Sequence, residues 1–211
     1  MANITKLAER YISEHPSIKD CLKSGLINYS SLSRMIISEM NLNKKKNFDA
    51  VLIACRRFKR KLSGEESFEK RILKVLKESK LEVKNKIIAV VLEKDVPFAN
   101  IFGLEREIKK MNEIFRIIEG ISAITIITSE NFLNSIQKIF GNKIIMENGN
   151  LAEITIRSPK EIETTPGTYA YLCSMFAENS INIVETLSCW TDTIFLVKEE
   201  DVGKIMGLLR F

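Results

Sequence analysis

One pattern constrains this chain more than any other. From residue 86, short β-branched runs and helical stripes follow one another in the order β-α-β-β-α-β, and from residue 151 that order begins again. KIIAVVLE (86–93) is a β-branched run of the kind that fills a buried strand. A helical stripe covers 99–112. EIFRIIEG and SAITIITS then read as two strands around Gly120. ENFLNSIQKIFG reads as a helix ending at Gly141, and KIIMENGN as a strand that stops in turn residues. This is the split βαβ arrangement. The second copy runs through LAEITIRS, a turn and helix at TPGTYAYLCSMFAENS, the strands INIVETLSC and DTIFLVKE, and a helix in EDVGKIMGLLRF. No final strand follows. An uncovered strand edge exposes unpaired backbone groups, so the first repeat or another subunit is expected to cover it.

Residues 1–62 carry a different signal. Ile4, Leu7, Ala8 and Tyr11 recur at helical spacing, and Pro16 breaks the chain. Ser17 is a cap candidate for a second helix that Gly25 can end. Leu32, Met35, Ile36 and Met40 form a third stripe. NLNKKKN (41–47) reads as a polar loop, and Phe48, Val51, Leu52 and Cys55 lead a last helix into RRFKRK. Residues 65–82 read as one connector helix with the narrow stripe Phe68, Ile72, Val75 and Leu76.

Charge divides the chain in the same place. Residues 1–82 hold 18 Lys/Arg against 10 Asp/Glu, and the remainder 14 against 17. A basic front half suits a polyanionic partner. Its order of helix, polar turn and basic helix between Ser30 and Leu62 has a general helix-turn-helix look. On that reading Lys44, Lys45, Lys46, Arg56, Arg57, Lys59 and Arg60 are the candidate phosphate contacts on DNA. Ser33, Arg34, Asn47 and Asp49 are the polar side chains placed nearest to base edges. A protein-docking or dimerising helical unit is the competing reading.

The turn Thr165-Pro166-Gly167, the helix Tyr169 to Asn179, the strand Ile181-Asn182-Ile183-Val184, the polar Ser188 and the run Thr193 to Val197 together resemble the ACT domain family. Residues 86–150 are similar to a more degenerate copy that lacks the Pro-Gly turn. The resemblance implies an amino-acid effector bound at an interface between units. It departs from the family at Thr164 and Thr165, where many ligand-binding members carry an acidic residue. The residues themselves suit such a ligand. Gly167 has no Cβ, so a ligand can approach the backbone, and the first-turn amides of the following helix suit a carboxylate. The Asn182 amide can donate and accept. The candidate ligand contacts are therefore Thr165, Pro166, Gly167, Thr168, Asn182 and Ile183.

Catalysis has no motif here. There is no GxxxxGK[ST] and no GxGxxG. The one histidine, His15, sits before Pro16 as a turn residue, and Cys21, Cys55, Cys173 and Cys189 lack metal-ligand spacing. No catalytic residue, metal ligand or cofactor is assigned, and a non-enzyme is expected. Scattered thiols and the absence of a long apolar run fit a cytoplasmic protein. The fold class expected is α+β. An N-terminal all-helical, helix-turn-helix-like domain (1–64) and a connector (65–85) precede two ferredoxin-like βαββαβ ACT-type units (86–150 and 151–211). The expected function is a regulatory protein that senses an amino acid or similar small molecule and controls transcription, acting as a homodimer. The alternative is a non-catalytic regulatory subunit docking on a metabolic enzyme through its helical domain.

Overall fold

A computed structural model describes residues 4–62 and 68–210. The chain divides into two compact units, Met1–Ser67 and Phe68–Phe211.

The described part of the first unit is helical: α1 (Ile4–Glu14), α2 (Pro16–Ser24), α3 (Tyr29–Glu39) and α4 (Lys44–Leu62). His15 precedes α2, with Pro16 in the first turn where its missing N–H costs nothing. Gly25 ends α2 in the left-handed conformation (φ 77°). Asn28 caps α3 by accepting from the Ser31 amide, 3.0 Å. Ala8, Ile12, Leu22, Leu32, Ile36 and Val51 meet in one buried core. Ser33 was placed near base edges by its polarity. It is fully buried, and its hydroxyl donates to the Tyr29 carbonyl at 2.7 Å.

Tyr11 is also buried there and donates to Glu39 at 2.6 Å. Burial, then that bond, push its phenol up to about 12 from 10.0. The folded value lies above the unfolded one, so this contribution is complete below pH 10 and is lost as pH rises through about 12. Denaturant melts between pH 9 and 12 should show a steeper loss of stability in the wild type than in Tyr11→Phe; parallel curves would refute the linkage.

The second unit opens with α5 (Phe68–Lys77), followed by β1 (Lys80–Glu93), α6 (Phe98–Lys110), β2 (Phe115–Glu119) and β3 (Ala123–Ser129). Then come α7 (Leu133–Phe140), β4 (Ile144–Arg157), α8 (Thr168–Glu178), β5 (Glu185–Cys189), β6 (Asp192–Lys198) and α9 (Val202–Leu208). The six strands of the described residues form one sheet in the order β2-β3-β1-β4-β6-β5, and every pair is antiparallel. No described helix is long and apolar enough to cross a membrane.

Two sequence expectations fail here for one reason. The connector helix expected over 65–82 stops at Lys77, and Lys80–Lys84 is strand; residues 65–67 lie outside the described residues. In KLEVK, Leu81 and Val83 point to the core while Lys80, Glu82 and Lys84 alternate outward, which is a strand period. This segment pairs with β4 from Lys80↔Arg157 to Lys84↔Glu153. It supplies the strand that the second repeat lacks, so the edge needs no second subunit. Likewise, the two strands expected on either side of residue 150 are one, β4. Asn150 (φ 54°) is passed without a break, just as Lys86 (φ 57°) is passed in β1. The two long strands, each of 14 residues, therefore belong to both halves of the sheet.

The sheet is curled. Arg116 on β2 reaches Glu153 on β4 at 2.7 and 2.8 Å. Thr125 Oγ1 on β3 likewise comes within 3.5 Å of Glu185 Oε1 on β5, across four strand spacings that would hold these residues about 19 Å apart in a flat sheet. Inside the curl, Ile87, Ala89, Ile127, Leu151, Ile194 and Leu196 pack together. On the outer face of one half, Ile101, Leu104 and Ile108 of α6 and Ile136 of α7 cover β1 and β3. On the other half, Ile72, Leu76, Leu172, Phe176 and Ile205 of α5, α8 and α9 cover β4 and β6.

Candidate functional site

The Pro-Gly turn is built by hydroxyls and backbone. A 3-10 turn over Lys160–Thr164 leads into it. Thr165 Oγ1 donates to the Glu161 carbonyl at 2.6 Å, and Thr168 Oγ1 donates to the Thr165 carbonyl at 3.0 Å. Pro166 and Gly167 are exposed, and Thr168 is buried. Gly167 precedes α8 with φ 90° and ψ −3°. A Cβ there would lie 3.4 Å from Ile72 Cδ1 of α5. That direction of approach, which sequence reasoning left to a ligand, is taken by a side chain of the protein. Gly167→Ala should cost roughly 1–2 kcal/mol from the left-handed backbone alone. Gly167→Asn should lose less, because asparagine tolerates that region. Equal melting temperatures for wild type and Gly167→Ala would contradict this.

Asn182 and Ile183 lie beyond the other end of the same helix. After α8, Ser180 turns the chain with φ 57° and Ile181 enters the core. The strand expected from Ile181 begins only at Glu185, so residues 181–184 are connecting chain. Asn182 is exposed and Ile183 is half-buried. An 11-residue helix is about 16 Å long, so the six candidate residues form two groups at opposite ends of α8. Thr165, Pro166, Gly167 and Thr168 are together, and Asn182 and Ile183 are together. One amino acid cannot touch both groups within one α8.

Sequence reasoning missed the polar group inside the curl. Glu153 is 1% exposed, and Arg116 grips both its oxygens. Thr155 Oγ1 donates to the same carboxylate at 3.3 Å. The bond to Glu153 holds the Arg116 guanidinium above its ordinary pKa. Nearby, Thr125 Oγ1 lies 3.5 Å from Glu185 Oε1, linking β3 to β5. The signal was present in LAEITIR, where Leu151, Glu153 and Thr155 share one face. A charged residue at an inward position of a buried strand calls for a partner. Among the described residues, no group of three or more His, Cys, Asp or Glu side chains could hold a metal ion.

In the helical unit, Lys44, Lys45 and Lys46 are the first turn of α4, not part of a loop. Asn43 starts the helix by accepting from the Lys46 amide at 3.2 Å. All three lysines are exposed, with Arg56, Arg57 and Arg60 exposed further along the helix. Arg56 lies over the Tyr29 ring, 5.9 Å from its centroid. Lys59 is half-buried over Gly25 at the C-terminus of α2, where a cation is favourable. Of the other polar candidates, Arg34 is exposed and lies over Phe48, 5.9 Å from its centroid. Asn47 Nδ2 donates to the Asn43 carbonyl at 2.9 Å, and Asp49 is exposed.

No family model and no curated protein matches the sequence. Several solved structures are similar in fold. The regulatory subunit of aspartate kinase from Thermus thermophilus is 12% identical over 61% of this chain and 92% of that one, with a TM-score of 0.49. The Clostridium acetobutylicum aspartate kinase, described as an allosteric enzyme, is 12% identical over 61% of this chain, with a TM-score of 0.50. This chain spans 33% of that kinase. A Vibrio cholerae protein of unknown function is 14% identical over 68% of this chain and 96% of its own, with a TM-score of 0.48. The likeness to the Clostridium acetobutylicum kinase shows the fold alone: a mixed α/β arrangement that also occurs within that enzyme.

Proposed function

We propose that this chain is a ligand-responsive regulatory protein. Its α/β unit, read as two interleaved ACT-like halves, senses an amino acid or similar small molecule. Its helical unit, read as a helix-turn-helix, binds DNA. The observation that carries the DNA reading is the position of Lys44, Lys45 and Lys46. The N-terminus of a helix is its positive end, so three lysines in the first turn oppose the helix dipole. A phosphate backbone lying against that turn would offset this repulsion. The effector reading rests on the Pro-Gly turn and on the exposed Asn182 at opposite ends of α8. Contacts of this kind meet in one ligand only when two units face each other, so a homodimer is part of the proposal. Effector binding then favours one packing of the units and shifts their population.

The test is fluorescence anisotropy of the full chain on duplex DNA over a salt series. Each phosphate contact adds about 0.9 to the slope of log affinity against log salt. The triple variant Lys44→Gln, Lys45→Gln and Lys46→Gln should therefore lower the slope by roughly 2–3. An unchanged slope would remove this face as the DNA contact. A second reading, docking on a metabolic enzyme, is favoured by apolar exposure in the helical unit: Leu26 is 81% exposed and Ile53, amid the cations of α4, is 48% exposed. Co-purification with a biosynthetic enzyme, lost in Ile53→Glu, would favour it over DNA.

A further inference from the structure

We infer that a second small-molecule site lies between α5, the start of β1 and the end of α9. It takes a small apolar carboxylate that carries no ammonium group. A cavity of about 330 Å³ opens there. Its floor is apolar: Leu76, Ile156 and Leu209 are at most 4% exposed, and Leu81 is half-buried. Lys77 and Arg210 also line it, both exposed, and neither is in an ion pair with another described residue. Ser79, the remaining polar residue among the described ones that line it, has its hydroxyl engaged by the Val75 carbonyl and by Ser158 Oγ, each at 2.9 Å. Recognition of a polar head therefore falls to the two cations.

That arrangement selects a ligand by its charge pattern. A guanidinium can hold a carboxylate through two parallel hydrogen bonds, and a lysine adds a second charge. The apolar floor takes a short hydrocarbon body, and the volume suits a molecule of that size. Among the described residues, no aspartate or glutamate lines the cavity. Among the described lining groups, the ammonium of an amino acid would meet two cations and no carboxylate, so the simple acid or the 2-oxo acid is preferred over the amino acid of the same skeleton. This site is distinct from the turn at Gly167, and the inference does not rest on the amino-acid reading. Two of its lining residues, Leu76 and Lys77, belong to α5.

The experiment is isothermal titration of the full chain with 4-methylpentanoate, 4-methyl-2-oxopentanoate and L-leucine. Three variants accompany the wild type: Lys77→Gln, Arg210→Gln and, as a charge control on α5 outside the cavity, Lys74→Gln. All three positions are exposed, so the fold is retained. Saturable binding of at least one of the two acids is expected, with leucine weaker by about tenfold or more. Lys77→Gln and Arg210→Gln should each weaken the acid by about tenfold, and Lys74→Gln should leave it unchanged. No saturable binding of either acid, leucine binding as tightly, or an equal loss in Lys74→Gln would overturn the inference. An amino-acid response that vanishes in Asn182→Ala while acid binding persists would separate the two sites.

Discussion

A chain beginning at residue 86 is expected to lose its fold, whereas one beginning at residue 68 should melt cooperatively. Sequence periodicity alone puts both repeats after residue 86. The structure takes the final strand of the second from Lys80–Lys84, ahead of the first. Removing residues 68–85 strips β4 of its β1 partners from Glu153 to Arg157 and leaves that segment paired with β6 alone. It also removes Ile72, Val75 and Leu76, each 5% exposed or less, and the half-buried Leu81 and Val83. Each fully buried side chain of this size contributes about 1.5–3 kcal/mol. A whole domain holds a margin of about 5–15 kcal/mol. Circular dichroism during heating of the two truncations reads the outcome. A cooperative transition in 86–211 would show that the shared strand is dispensable.

The second large effect is expected at the ion pair inside the curl. Arg116→Met leaves a carboxylate that is 1% exposed without its partner, which should cost about 3–5 kcal/mol. Glu153→Met should cost less, because the Arg116 side chain is 31% exposed and can turn to water. The double variant should recover much of the loss, since an apolar pair removes the desolvation cost of both charges. Denaturant melts of the four proteins close the cycle. Additive losses would mean that the pair does not couple β2 to β4, and that the curl is held by the apolar inner face alone.

What the sequence made legible and what it hid divide along physical lines. Local periodicity marked α3, α6 and α8 and the strand runs at 87–92, 123–129 and 193–197, because each carries its own pattern. The topology was harder. KLEVK follows a helical stripe without a glycine or proline to separate them, so its period of two was absorbed into the helix. Gly149 and Asn150 looked like a strand end, yet β4 continues past them because its two halves face different cores. The candidate effector residues were identified as types, but spacing along the chain does not reveal that α8 holds them apart. Glu153 could be seen as anomalous in an apolar strand. Its partner Arg116, 37 residues away, could not be found before the sheet was known to curl.

The most direct test of the regulatory reading is thermal unfolding of the full chain against the twenty amino acids, beside Asn182→Ala. Asn182 is exposed and suits this purpose, whereas a Gly167 substitution would disturb a left-handed backbone. A ligand at a hundred times its dissociation constant should add about 2.7 kcal/mol. A raised melting temperature is expected with one or a few amino acids, lost in Asn182→Ala while the unliganded stability is unchanged. No rise with any of the twenty would contradict the regulatory reading.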